Sequence, residues 1–276
     1  MTADSSAILS IAVPLVAGAT AGYVACLFKG RQVLGRLSTG LALAAVVCLS
    51  IGLAVRATET GHWPLSNSYE YAMVFAWCTL VIYLVLEHVT GTRALGASVL
   101  LIALLIVGYA QILAPESTRI GRPLLPALQT SWLQLHVTTG AIAYGAFAVS
   151  CGASMMYLIG ETTPGLPEHF PESTTADEFN FRALAVGYPA MSLVLITGAI
   201  WAQLAWGRYW SWDIKETWTL ITWLVYTLLL HLRAIRGWRG RPIAALSIVG
   251  FLCVIFTLWG AGWLASRVGV ESLHLY

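Results

Sequence analysis

Charge is what this chain has least of: Asp, Glu, Lys and Arg make up 10% of its 276 residues, against 58% hydrophobic ones. A water-soluble domain carries about a quarter charged residues, so a soluble fold is excluded. The formal net charge of +2 leaves no basic tract apart from the flanks of apolar runs, which excludes nucleic acid as a partner. The longest polar stretch, Glu161 to Arg182, is too short to bury a core of its own. No C-x-x-C pair occurs. All five cysteines, Cys26, Cys48, Cys78, Cys151 and Cys253, fall inside apolar runs, so they read as small hydrophobes rather than as a disulfide framework or thiol relay. The opening MTADSS lacks the positive region and small-residue cleavage site of a signal peptide, so the first apolar run is expected to persist as a helix. No internal repeat is visible, and no residue stands out as an acid, base or nucleophile.

What is present is hydrophobic length. The mean hydropathy is +0.75, and apolar runs long enough to cross ~30 Å of hydrocarbon recur throughout. Eight spans are expected, at 7–28, 38–55, 69–88, 94–113, 133–159, 183–204, 217–233 and 243–264. The fold class is therefore an all-α, polytopic membrane helix bundle. Lys29, Arg31 and Arg36 follow the first span, and Arg233, Arg236, Arg239 and Arg241 follow the seventh. Placing those loops in the cytoplasm gives inner segments nine of the fifteen Lys and Arg and outer ones six. Both termini are then expected outside. Glu161 to Phe179, rich in Pro, Thr and acids, reads as a mobile cytoplasmic loop without chemistry. In GHWPLSNSYEYAMVF, Pro64 and Asn67 break the chain, Ser68 can cap a helix, and Glu70 lies in its first turn, where the dipole favours an acid.

The densest signal is Trp206 to Trp218, WGRYWSWDIKETW, an expected outer loop between the sixth and seventh spans. Four tryptophans and a tyrosine share thirteen residues with Gly207 and two charges of each sign, Arg208, Asp213, Lys215 and Glu216. Trp and Tyr anchor helices at membrane interfaces, which accounts for one or two such residues but not this density. An aromatic shelf of Trp206, Tyr209, Trp210, Trp212 and Trp218 edged with fixed charge suits a large, planar, partly anionic ligand lying against the bilayer. Asp213 stands just before the seventh span and reads as its N-cap, and any contact with such a ligand stays open. Lys215 and Glu216 read either as an interfacial ion pair or as part of the site.

The stretch closely resembles the WWD motif of the haem-handling CcsA/ResC-type cytochrome c biogenesis proteins (System II), usually W-G-x-Y-W-x-W-D-P-K-E-x-W. Ile214 replaces the usual Pro. Two further segments match in order: PLSNSYE resembles P-L-S-N-x-Y-E, and LQTSWLQLHV resembles L-Q-x-x-W-L-x-x-H-V. The resemblance runs from about Gly61 to the C-terminus. It divides the chain into two N-terminal helices (1–60) and a haem-handling membrane domain (61–276) with its Trp-rich loop at 206–218. A bacterial plasma membrane or a thylakoid membrane is the location it implies.

Six histidines can then be weighed. His136 begins the fifth span and His274 lies near the C-terminus, both on the expected outer side. Alone, an interfacial His is usually a hydrogen-bonded surface residue. By resemblance, they are the two axial ligands of haem iron at the Trp-rich loop. His231 lies 13 residues past Trp218, ~20 Å further along a helix. It reads either as a helix-end His beside Arg233 or, by resemblance, as a transmembrane ligand for haem entering from the cytoplasm. The second ligand there comes from a CcsB/ResB-like membrane partner, with His88 as another option from this chain. His62 reads as structural and His169 as solvated. Arg208 and Lys215, then Arg119 and Arg122, are candidates to pair with the propionates.

The implied function is cytochrome c biogenesis. Haem b would be bound as a substrate in transit and presented at the lipid–water boundary for thioether attachment to the C-x-x-C-H of apocytochrome c. The chain would then be a subunit of a holocytochrome c synthase. A CcmC-like protein delivering haem to a chaperone is the nearest rival, although such proteins have about six spans. A membrane b-type cytochrome would carry His pairs within the bilayer. A transporter would be expected to show repeats and broken polar helices.

Overall fold

The computed structural model describes residues 4–119, 124 and 128–269. Eight helices are long and apolar enough to cross a membrane, as expected, and among the described residues there is no strand. The first span is two pieces, α1 (Ser5–Ser10) and α2 (Ala12–Lys29), followed by α3 (Gln32–Thr60) and α4 (Ser68–Thr90). The fourth is α5 (Gly96–Gly108) continued by a π-helical turn, Tyr109–Leu113, and a short α6 (Glu116–Arg119) follows it. Then come α7 (Ser131–Thr162), α8 (Ser173–Trp206) and α9 (Ile214–Arg236). The last span joins α10 (Arg241–Ile255), a second π-helical turn at Phe256–Gly260, and α11 (Ala261–Val268).

Most spans outrun their apolar stretches because polar residues at their ends find partners. The largest difference is in α8, which begins at Ser173 rather than near 183. Much of the stretch expected to be a loop, Glu161 to Phe179, is therefore helix. Asp177 accepts two hydrogen bonds from the Arg233 guanidinium (2.8 and 2.7 Å), and Asn180 accepts from Ser150 (2.6 Å) and Ser247 (3.2 Å). Those buried polar groups fix a helix where sequence composition suggested mobility. At α4 the cap is Asn67, one residue before Ser68: its side chain accepts from the Glu70 N–H at 3.0 Å.

α7 is the hub, packed against α4, α5, α8 and α10. Its sequence is rich in Gly, Ala and Ser, which lets backbones approach closely where apolar attraction alone cannot drive helices together. A Cβ on Gly145 would meet Cys78 and the Thr79 backbone of α4 at 2.8–3.0 Å, and one on Gly152 would meet Val99 of α5. In α7, 72% of the most apolar window is buried, and in α9 only 17%. The two π-helical turns meet at the end of the bundle that carries the Trp-rich loop, with the rings of Tyr109 and Trp259 4.7 Å apart. Such turns widen a helix locally and are frequent at functional sites.

Candidate functional site

At that end, a cavity of 430 Å³ opens between α4, α7, α8, α9 and the second π-helical turn. Small-molecule sites occupy roughly 300–1,000 Å³. It is lined by Leu65–Ser68 and Tyr71, by Tyr209, Trp210, Lys215 and Glu216, and by His136. Tyr144 and Thr219 also line it, with Thr257–Trp259 of the π-helical turn.

The Trp-rich segment folds around a capping box. α8 ends at Gly207, whose positive φ of 74° is accessible to a residue without Cβ, and its N–H closes onto the Gln203 carbonyl at 2.9 Å. Asp213 caps α9 as expected: its carboxylate accepts the Lys215 N–H at 2.8 Å. Glu216 reaches back and accepts from the Asp213 N–H (3.2 Å), the Ser211 N–H (2.8 Å) and the Ser211 hydroxyl (3.0 Å). No ion pair joins Lys215 to Glu216 among the described residues. Both instead line the cavity.

The aromatic residues do not form one flat shelf. Trp206 packs edge-on to Trp201 (4.7 Å) in a small second core with Leu128 and Leu133, and Trp218 packs on Phe256 (4.1 Å). Trp212 is 69% exposed with φ at +59°, and its ring stands edge-on to Trp210 at 5.7 Å. Tyr209 and Trp210 face the cavity, whereas Arg208 is exposed outside its wall. The indole Nε1–H of Trp210 is buried and has no acceptor among the described residues.

His136 lies two turns into α7, whose N-cap is Thr130. Its Nδ1–H donates to the Val194 carbonyl of α8 at 3.0 Å, so Nε2 carries the lone pair of the neutral ring. The ring is nearly parallel to that of Trp201, with centroids 6.1 Å apart and 17° between planes. His274 and Arg122 lie outside the described residues. His231 is exposed on α9, and His88 is exposed at the far end of α4, a helix whose main neighbours are α3, α5 and α7. His62 donates from Nδ1 to the Trp63 carbonyl (2.8 Å). His169 is exposed and its ring covers the Gly30 turn. Arg119 donates to the Gln111 carbonyl (2.5 Å) away from the cavity.

Sequence reasoning placed His136, Tyr209, Trp210, Lys215 and Glu216 at the site. It assigned no such place to Leu65–Ser68, Tyr71, Tyr144, Gly198 or Trp201, all of which line the cavity. The available signal for Gly198 was a glycine inside a helical run, which marks close approach of a neighbouring group.

A polytopic helix bundle with a cavity that holds His136 beside a capped aromatic loop matches a known class: the family model described as cytochrome C assembly protein aligns with residues 65–268. A CcsA protein of Gloeobacter violaceus is 32% identical over 314 residues, covering 94% of this chain and 91% of that protein. CcsA of Chlamydomonas reinhardtii is 37% identical over 231 residues, covering 81% and 64%. The solved structure of "Cytochrome c Heme Lyase CcmF" shares the fold, with a TM-score of 0.68 at 15% identity, over 96% of this chain and 49% of that one. The chain belongs to this family as a CcsA-type, multi-pass membrane protein of cytochrome c biogenesis.

Proposed function

We propose that the cavity holds haem b as a substrate on the outer face of the membrane and presents it for thioether attachment to the C-x-x-C-H segment of apocytochrome c. One observation carries this reading. A cavity of suitable size combines the His136 imidazole, held through Nδ1, with a buried indole N–H and an ammonium that, among the described residues, have no acceptor and no carboxylate within ion-pair distance. An iron-centred macrocycle with two carboxylate arms satisfies all three. His136 Nε2 would supply one axial ligand, while Lys215 and Trp210 would donate to a propionate. His274, from the C-terminal tail, is the proposed second ligand.

The chain's contribution to the reaction is positional. Each cysteine thiol of the apocytochrome adds across a vinyl double bond, so the addition consumes no oxidant or reductant, and holding both reactants in register lowers the barrier. Trp206, Gly207, Arg208, Trp212, Asp213 and Trp218 act by shaping and presenting the loop rather than by lining the cavity. His231 has a separate part: exposed on the least buried span, it would ligate haem on its way across the membrane, opposite a ligand from a CcsB/ResB-like partner.

Optical spectra of the protein purified with and without that partner test this, alongside His136→Ala and His231→Ala. A bis-His spectrum weakened in both variants supports two stations on one route. Haem retained unchanged in both removes the ligand assignments and leaves the loop as an interfacial anchor. Sensitivity to His136 alone keeps the outer site and makes His231 a helix-end residue.

A further inference from the structure

We infer that Gly198 is a positioning residue for the iron ligand: its missing side chain is the seat of the His136 ring. The inference rests on the proposed role of His136. A Cβ built on Gly198 would lie 2.7 Å from Cε1 of His136 and 2.8 Å from Nδ1, inside any real carbon contact. Those are atoms of a ring already held by the Val194 carbonyl on the same face of α8, one turn earlier. Trp201, three residues further on and 1% exposed, lies beside the same ring. Residues 194, 198 and 201 therefore form one helical stripe that fixes the imidazole on three counts. The carbonyl selects the tautomer, the glycine sets the depth, and the indole sets the plane. A ligand so held presents Nε2 in one direction without the rotamer search that an exposed histidine would need.

The same stripe runs directly into the Trp-rich loop. α8 ends at Trp206, and Trp206 packs on Trp201. The loop that walls the cavity and the seat that aims the ligand are thus parts of one rigid element. Pro189 lies inside the continuous α8 below the stripe and removes one backbone donor there.

The expected behaviour of Gly198→Ala differs from that of an ordinary packing defect. The methyl group has nowhere to go but into the ring, so the ring must turn off Val194 and lose its aim. Haem retained on purification should fall about tenfold or more relative to wild type, with the remaining spectrum shifted from the bis-His form. In a His136→Gly background the ring is gone and the methyl group fits. Gly198→Ala should then cost no further thermal stability, and imidazole added to His136→Gly/Gly198→Ala should restore the haem spectrum as well as it does in His136→Gly alone. The apoprotein melting comparison needs no haem and reads the seat even if Gly198→Ala alone folds poorly. Equal melting losses from Gly198→Ala in both backgrounds would overturn the seat, as would a wild-type spectrum in the single variant. A His136→Ala variant with unchanged haem would instead show that the ligand assignment had failed.

Discussion

Two segments that line the cavity, at the heads of α4 and α9, are built on the same device and differ in one charge. In the first, the Ser66 N–H (3.0 Å) and hydroxyl (2.8 Å) donate to the carboxylate of Glu70, in the first turn of α4. In the second, the Ser211 N–H (2.8 Å) and hydroxyl (3.0 Å) donate to Glu216, in the first turn of α9. Glu70 also has a cation: Arg56 Nε is 2.9 Å away, with both side chains at most 4% exposed. Arg56 in turn donates to the Arg119 carbonyl at 2.5 Å, tying the segment to the α6 region. Among the described residues Glu216 has no such partner, and its neighbour Lys215 lines the cavity instead of pairing with it. The first segment is closed on itself and belongs to the frame. The second leaves a cation uncommitted, which fits its proposed role of receiving the propionates of haem.

The largest effect that follows is on the closed segment. Glu70→Ala strands a buried guanidinium, and breaking such a pair costs about 3–5 kcal/mol. The expected outcome is a large drop in melting temperature in detergent, or no monodisperse protein at all. The double variant Arg56→Ala/Glu70→Ala should cost less than the sum of the two singles, because neither charge is then left alone. Strict additivity would mean that the pair is not the frame's anchor.

Glu216→Ala should break the comparison the other way. It removes an acceptor from three donors, at about 1–3 kcal/mol, but these donors all belong to the loop and can turn to water. Melting should fall less than in Glu70→Ala, whereas retained haem should fall about tenfold because Trp210 and Lys215 lose their framework. Loss of stability as great as that of Glu70→Ala would show that the two segments are equivalent after all.

Lys215→Met isolates the uncommitted cation. A charge-assisted hydrogen bond contributes about 1.5–3 kcal/mol, so haem affinity should fall roughly tenfold or more with little change in melting. The difference from wild type should vanish when the porphyrin's propionates are methyl esters. A persistent difference with the ester would assign Lys215 to the loop's structure.

How much of this was legible in the sequence depended on whether the signal was local. Eight spans follow from apolar length, and the Asp213 cap follows from an acid placed just before a helix, whereas the part of Glu216 in that cap did not show. His136 and the Trp-rich loop were visible as residues, but the part of the lining that α4 and its preceding loop supply was not. Leu65–Ser68 reaches the cavity only because α4 packs against α7, a pairing that no single segment encodes. For the same reason the loop's tryptophans read as a shelf and proved to be divided: Trp206 and Trp218 have apolar partners, Trp201 and Phe256, that are distant or unremarked in sequence. The early start of α8 was hidden by composition, since Pro, Thr and acids suggest a loop until Asp177 meets Arg233 from another helix.

The smallest effect sharpens the contrast most finely, because it separates backbone from side chain at one residue. Trp212 is the only non-glycine among the described residues with a positive φ, +59°, and it lies in the segment with the uncommitted charge. Left-handed backbone costs an L-residue about 1–2 kcal/mol, which glycine does not incur. With the ring 69% exposed, its removal forfeits little burial beyond the edge contact with Trp210. Trp212→Gly should therefore be more stable than Trp212→Ala by about 1 kcal/mol, a difference readable as a shift in melting temperature. Equal stability would mean that the loop relaxes freely and holds no strain. If the glycine variant keeps haem and stability but attaches it to apocytochrome more slowly, the strain has a use. A costly backbone then serves to hold an aromatic ring out at the surface where the second substrate must arrive.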